Sequence, residues 1–448
     1  MAGPALAWWL ARHGYQPVIV EKSAQLRGGG YAVDFRGEAH LQVLRQMGLF
    51  DQIRARQTGL RSLSCVDEQG KPVAEMPPVF FAGDVEILRG DLAAILYQAT
   101  RDDTEYIFGD SIAGLNTDGD GVHVTFNRAA PRTFDLVIGA DGVHSNVRRL
   151  AFGPEDRFAR ELGMYVSIFT VPNFAGLDRA GLLYSVPGKT AGLFAAGSGD
   201  RAIAQLYFTA PGLGFDPQAS TGQQREIVAR EFSGLGWEVP RMLAEMAAAD
   251  DFYYDTTSQI HMDTWSTGRV ALIGDAGYAA GPGGNGTGNA VVAAYVLAGE
   301  LAAASGDHAT AFARYEHRLR GYIAGGQQQA AGGQAFLAPS TWKKIRQRNR
   351  FFKVLPYLPV SSLISRAATR TATNISLPDY VPVPALERHF PWPGPSHVSP
   401  RTSRGQRAVS LSHWGTEWLR PLAGRLAPGH LLASGQRHRQ WRPHEQFG

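Results

Sequence analysis

The chain is short of cysteine, of long apolar runs and of any charge bias in its main body. Cys65 is the only cysteine in 448 residues, which excludes an internal disulfide and a thiolate metal site, and no metal is expected. Nothing around it marks an activated thiol, so it reads as a strand or core residue. No apolar stretch reaches the length of about 18 residues that a membrane helix needs, and no basic start leads into an apolar segment. Stable membrane insertion and a signal peptide are therefore not expected, and the cytoplasm is the expected address. The formal charge of +4 misleads, because residues 388–448 carry nine Arg, no Lys and two Glu, a sum of +7 that leaves −3 for the rest. Such a body gives no electrostatic reason to expect a nucleic-acid partner. Beyond Asp379 there are four of the nine Trp and six of the thirteen His, without sustained periodicity. That composition does not suit a packed core, so 379–448 reads as a disordered or non-native tail.

Glycine, by contrast, is abundant and clustered. From Arg269 to Leu301 a short apolar run enters Gly274-Asp275, a loop holds Gly281, Pro282, Gly283, Gly284, Gly286, Thr287 and Gly288, and a long Ala/Val/Leu segment leaves it. The pattern is strand, glycine-rich loop, helix. Glycines let backbone N–H groups approach a ligand closely, and the helix start carries partial positive charge. Asp275, just past the strand, is placed to accept from sugar or ribityl hydroxyls. A second junction of this kind, Leu136 to Ala140 followed by Asp141-Gly142, leads into a helix near Ser145 with Arg148 and Arg149 in its first turns.

The N-terminal stretch predicts a helix on Leu6, Trp9 and Leu10, a C-cap at Gly14, and a β-branched strand ending at Glu21. In a dinucleotide-binding unit such an acid takes the ribose hydroxyls. Gly3 fits only the last glycine of the phosphate loop, so a first strand and two earlier glycines are expected ahead of Met1. A glycine turn from Arg27 feeds a strand reaching Arg36. Residues 62–76 predict a hairpin around Gln69-Gly70, and a helix starts directly after Arg89, which can reach a phosphate or a ring. Strands alternate over 160–210, helices follow near 222–235 and 239–249, and a strand runs from Phe252 to Met262. After Leu301 the chain is helical, ending in a basic segment, Trp342 to Leu355, read as a solvated face.

With Glu21, Arg89, GADGVHSNVR and IGDAGYAAGPGGNGTG in this order, residues 2–380 resemble the FAD-dependent monooxygenases of the para-hydroxybenzoate hydroxylase fold. They look closest to the branch of tetracycline-inactivating and polyketide-tailoring enzymes. The resemblance implies an α/β chain with a Rossmann-like FAD-binding domain in three layers around a parallel sheet, its first strand missing, with an inserted antiparallel-sheet substrate domain and C-terminal helices. Residues 1–60, 85–155 and 265–306 would form the cofactor domain, 61–84 and 156–264 the substrate sheet, and 307–378 the C-terminal helices. It also implies that Glu21 holds the adenosine ribose, and that Arg89, with Arg27 nearby, reaches the phosphates and ribityl chain. Asp141 and Gly142 would support the pyrophosphate region and NAD(P)H use, Gly274 and Asp275 the ribityl hydroxyls, and Pro282 to Gly288 the isoalloxazine ring. Arg36, on a strand facing the flavin, is a candidate contributor to catalysis. Gly277-Tyr278 stands where the family usually has Ala-His, so no essential base is expected there. The implied reaction is NAD(P)H-dependent hydroxylation of a small aromatic or polyketide-like substrate by O2 through a flavin C4a-hydroperoxide, in a monomer or homodimer. A flavin oxidase or reductase, an inactive truncated remnant and, more distantly, a nicotinamide-only dehydrogenase are the alternatives.

Overall fold

A computed structural model describes residues 1–357 except 27, 29, 78, 79, 82, 197, 198, 217 and 218, then 374–380 and the backbone of 408–413. All of these fall within one compact unit, Met1–Glu417.

The core forms around the Ala/Val/Leu segment. Gly286–Ala303 is an α-helix whose residues from Gly288 to Leu301 are all buried. A helix apolar on every side must be surrounded by protein, and here the first helix, Ala2–Arg12, covers one flank. Trp9 meets Tyr295 edge-on at 4.8 Å. The long helix His308–Ala330 covers another flank, with Phe312, Tyr315 and Leu319 in the same core.

Beside these helices lies a six-stranded sheet in the order Ser266–Thr267, Val270–Leu272, Leu136–Ala140, Ala408–His413, Gln16–Glu21, Glu105–Phe108. Its strands run parallel except for the short outermost pair. Leu136–Ala140 and Val270–Leu272 are buried at every position, as continuous apolar runs between layers should be.

The central position of this sheet departs from the sequence expectation. Ala408–His413, within the stretch read as a disordered or non-native tail, is a strand paired in parallel on both sides, with Ser410 opposite Val18 and Val137. Two β-branched neighbours, Gln16–Glu21 and Leu136–Ala140, each have a row of backbone groups that must be satisfied. The sextet AVSLSH satisfies both rows, so the slot expected for a missing first strand is filled from the other end of the sequence. Tyr380 is packed as well, with its hydroxyl 2.6 Å from Glu300 on the core helix. The remainder of 381–448 lies outside the described residues.

The second sheet has seven strands in the order Tyr253–Ile260, Ala159–Pro172, Arg201–Phe208, Lys189–Ala195, Ala180–Val186, Ser62–Val66, Pro72–Met76. It is antiparallel except where Ala180–Val186 meets Ser62–Val66. The hairpin turns at Gly70, whose φ of +77° suits glycine. Cys65 lies in this sheet with 1% of its surface exposed, as expected of a core residue. Helices Thr221–Phe232 and Val239–Ala248 fall where the periodicity placed them. The basic helix Trp342–Val354 is largely solvated, but Arg348 turns inward to the Phe336 carbonyl at 3.0 Å and the Ser185 hydroxyl at 3.1 Å.

A proline in a doubly paired central strand deletes a ladder donor. Ser410→Pro should therefore cost on the order of 1–3 kcal/mol and lower the thermal midpoint read by circular dichroism. An unchanged midpoint would contradict the strand assignment.

Candidate functional site

Strand, helix and loop ends converge at the C-terminal edge of the parallel sheet. The strand Gln16–Glu21 ends in Glu21, whose carboxylate accepts from the Ser23 N–H at 2.8 Å. The first helix starts beside it, with Gly3 buried in its first turn, and helix geometry leaves the first-turn N–H groups without intrahelical partners. Burial drives the Met1 amino group down to about 5, Arg89 adds to that effect, and Glu21 and Asp275 oppose it. The strand-end acid, the helix-start arginine and the loop acid thus gather at one helix N-terminus. Arg89 opens the helix Arg89–Gln98, and its N–H donates to the Tyr31 carbonyl at 3.0 Å.

The glycine-rich loop divides into two kinds of position. Gly274 has a φ of +64°, and a Cβ there would lie 3.3 Å from the Ala2 Cβ, so glycine lets strand and first helix close on each other. Asp275 follows with no hydrogen-bond partner among the described residues. Asp275 is exposed, its surface forming part of a cavity wall, and desolvation by the nearby protein still pushes its carboxyl up, opposed by the Met1 amino group and Arg89. Gly281, Pro282, Gly283, Gly286 and Thr287 line that cavity, whereas Gly284 and Gly288 answer to packing. A Cβ on Gly284 would stand 2.5 Å from that of Ala280, and one on Gly288 would stand 2.1 Å from the His40 ring. The helix start at Gly286 has no side-chain cap, so its first-turn amides are available at the cavity wall.

Asp141 does different work. It is fully buried, accepts from the Ser145 hydroxyl, and accepts from the Val147 N–H at 3.0 Å. It therefore shapes the loop that turns at Gly142, where φ is +83°, and Val143 rather than Asp141 reaches the cavity. Arg148, with none of its side chain exposed, ties this loop to the next. It donates to the Ala276 carbonyl at 2.8 Å, the Val143 carbonyl at 2.6 Å and Glu155 at 2.7 Å. His144 sits between Glu155, 2.7 Å from Nδ1, and Asp255, 3.0 Å from Nε2. Burial works against the charged ring, but the hydrogen bonds to Asp255 and Glu155 outweigh it and push the imidazole up to about 10. The loop after Ala140 is thereby fastened to the strand Tyr253–Ile260 of the second sheet.

The cavity measures about 350 Å³, within the range of small-molecule sites. Alternation builds its far wall: Val166 is registered with both Asp255 and Tyr207, and Ile168 with both Tyr253 and Gln205, so all six share one sheet face. All six line the cavity, as do Tyr31 and Asp34. Tyr31, Gln205, Tyr207, Tyr253, Asp255 and His144 were not singled out from the sequence. The period-two patterns of Arg201–Phe208 and Tyr253–Ile260 marked faces, without showing which face meets the glycine-rich loop.

The matched sequence relatives agree with this geometry. A family model described as FAD binding domain matches residues 1–320. The chain belongs to the FAD-dependent aromatic hydroxylase family. An uncharacterized protein of Mycobacterium tuberculosis is 46% identical over 330 residues, covering 72% of this chain and 88% of that one. A flavin-dependent monooxygenase of Legionella longbeachae is 36% identical over 386 residues, covering 85% and 96%. The crystal structure of tetracycline destructase Tet(55) superposes with a TM-score of 0.72 at 36% identity, covering 85% of this chain and 96% of that chain. As a member of this family the chain is an FAD-dependent enzyme of the monooxygenase type, acting on a small molecule and O2. No described helix is long and apolar enough to cross a membrane.

Of the residues expected at the aromatic hydroxylase site, the structure brings together Gly3, Glu21, Arg89, Gly274, Asp275 and the loop from Pro282 to Thr287. Arg36 lies apart: it follows the strand Ala32–Phe35, caps the helix Gly37–Gln46, and its guanidinium is paired with Asp34, which lines the cavity in its place. Arg27 lies outside the described residues. Tyr278, where the family has His, is buried with its hydroxyl 2.8 Å from that of Tyr315.

Two measurements check this architecture. A Cβ driven into the His40 ring costs about 1–3 kcal/mol, so Gly288→Ala should lower the unfolding free energy from urea titration by that much; an unchanged value would show that the helix start moves freely. His144 has its pKa raised from an ordinary value near 6.5. Its stabilisation is therefore fully present below about 6.5 and is lost as the pH rises through about 10. The wild-type thermal midpoint should fall over that interval and that of His144→Gln should fall less; parallel curves would contradict the assignment.

Proposed function

We propose that the chain is an NAD(P)H-using FAD monooxygenase that hydroxylates an aromatic or polyketide-like small molecule in the cavity between Asp275 and the second sheet. The observation that carries this reading is Asp275, an acid without a hydrogen-bond partner among the described residues, opening onto the same cavity as a wall of tyrosines. A carboxylate exposed on a cavity wall, with no donor among the described residues, suits a ligand rich in hydroxyls, and the ribityl chain of FAD is one. The start of the first helix, near Glu21 and Arg89, suits a pyrophosphate and the adjoining ribose. The amides near Gly286 and Thr287, with Pro282 and Gly283, suit the polar edge of a flat ring. The residues present fit the cofactor.

When bound and reduced by NAD(P)H, FAD supplies the activation of O2. The chain's own residues bind, orient and exclude water. Val143, Val166 and Ile168 provide an apolar surface for a ring, and the half-buried tyrosines Tyr207 and Tyr253 keep their protons, because desolvation raises both phenols. No chain residue is needed as an obligatory base. Relatives named for tetracycline destruction support a polyketide-like substrate class.

Oxygen uptake with NADPH or NADH separates the readings. A product heavier by one oxygen atom supports hydroxylation; uptake that yields only hydrogen peroxide, with substrate oxidised but not oxygenated, supports an oxidase instead. Asp275→Asn replaces a charged acceptor and should weaken FAD binding by on the order of 1.5–3 kcal/mol in a fluorescence titration. Equal affinity would remove Asp275 from the cofactor site.

A further inference from the structure

The tyrosine wall has a polarity that follows from one hydrogen bond. Tyr253 Oη lies 2.6 Å from Asp255 Oδ2. A carboxylate has no proton to return, so the phenol donates its only proton there and keeps only lone pairs for the cavity. Asp255 is held in that role from behind. Its Oδ1 accepts from His144 Nε2 at 3.0 Å and from the Thr256 N–H at 2.8 Å. The same imidazole gives its Nδ1 proton toward Glu155 at 2.7 Å, with Arg148 on the far side of Glu155 and the Phe215 ring stacked 5.3 Å away. An imidazole between two carboxylates carries both protons, so Nε2 donates and Asp255 stays an acceptor.

The charges around the cavity point the same way. Its described lining includes Asp34, Asp255 and Asp275 and no Lys, Arg or His. Arg89 acts on Tyr31 and Asp275, at the cofactor end, and reaches Tyr253 only as the least of several effects. A ligand anion at the tyrosine wall would therefore sit beside Asp34 and Asp255, whose cations, Arg36 and His144, are already engaged by them. Val166 and Ile168, on the same sheet face as Tyr253, offer a flat apolar surface.

We infer that Tyr253, fixed as a pure acceptor by Asp255 and His144, selects a neutral aromatic ring bearing a hydroxyl that donates to its Oη, and turns away the same ring once it is O-methylated or ionised. The inference rests on the reading of this cavity as the substrate chamber. Tyr253 is a specificity-determining residue, and His144 a positioning residue acting through Asp255.

The test uses 4-nitrophenol and 4-nitroanisole, a matched hydroxyl and methyl ether, titrated calorimetrically into the full-length protein. The phenol should bind at least about tenfold more tightly than the ether at a pH below its own ionisation, the worth of one hydrogen bond to a half-buried acceptor. Its affinity should fall by a similar factor above that ionisation, while the ether's stays constant. Tyr253→Phe should erase the preference, and His144→Gln should reduce it without abolishing binding of the ether. Equal affinities for phenol and ether in the wild-type protein, tighter binding of the phenolate, or a preference that survives in Tyr253→Phe would each overturn the inference. The wild-type comparison stands even where a variant folds poorly. The visible spectrum of the same sample reads flavin separately, so missing flavin counts against the monooxygenase reading and a missing preference counts against this one.

Discussion

A buried charge cluster holds the two walls of the cavity at their working distance. Arg148 is closed off from solvent and gives its protons to the Ala276 and Val143 carbonyls and to Glu155; Glu155 and Asp255 then share His144. This path runs from the short helix Asp275–Tyr278, through the loop after Asp141, into the second sheet. Such a cluster contributes little net stability when intact, because desolvation offsets attraction. Removing one member costs about 3–5 kcal/mol, since the remaining charges stay buried without their partners. Its main effect is therefore geometric: it makes any other spacing between the loops and the tyrosine wall unfavourable.

The rest of the site follows from that spacing. The loop side supplies donors and one open acid, namely helix-start amides, Arg89 and Asp275, which is chemistry for a phosphate-bearing, hydroxyl-rich cofactor. The sheet side supplies apolar surface and acceptors, which is chemistry for a ring with hydroxyl donors. One cavity of about 350 Å³ joins the two. This division matches the demands of a reaction in which the cofactor does the chemistry and the protein excludes water and fixes orientation.

Much of this was legible in the sequence, for reasons that differ by residue. The parallel strands and the core helix were readable because burial on all sides forces continuous apolar runs, as in Leu136–Ala140 and Ala290–Ala298. Glu21, Arg89 and Asp275 were readable because they stand at element ends, where backbone geometry fixes a side chain's direction. The tyrosine wall was not readable, since alternation separates two faces of a strand without naming their neighbours. Gly284 and Gly288 were assigned to a ligand when Ala280 and His40 were the reason for them; a glycine's sequence position does not show what its missing Cβ would strike. Asp141 was placed near the pyrophosphate region by the family resemblance, and the hydroxyl of Ser145 and the amide of Val147 draw its carboxylate into the loop. The strand Ala408–His413 escaped detection because its partners lie far away in sequence and its own surroundings carry no periodic signal.

The central claim is that Asp275 and the tyrosine wall enclose one chamber in which a flavin activates O2 against a bound ring. Its most direct test is turnover of a phenolic polyketide-like compound by the FAD-loaded protein with NADPH under isotopically heavy O2, followed by mass spectrometry of the product. The account predicts that one heavy oxygen atom appears in the product and that Tyr253→Phe lowers its yield while NADPH oxidation continues. Oxygen drawn from water, or a product without added oxygen, would contradict it.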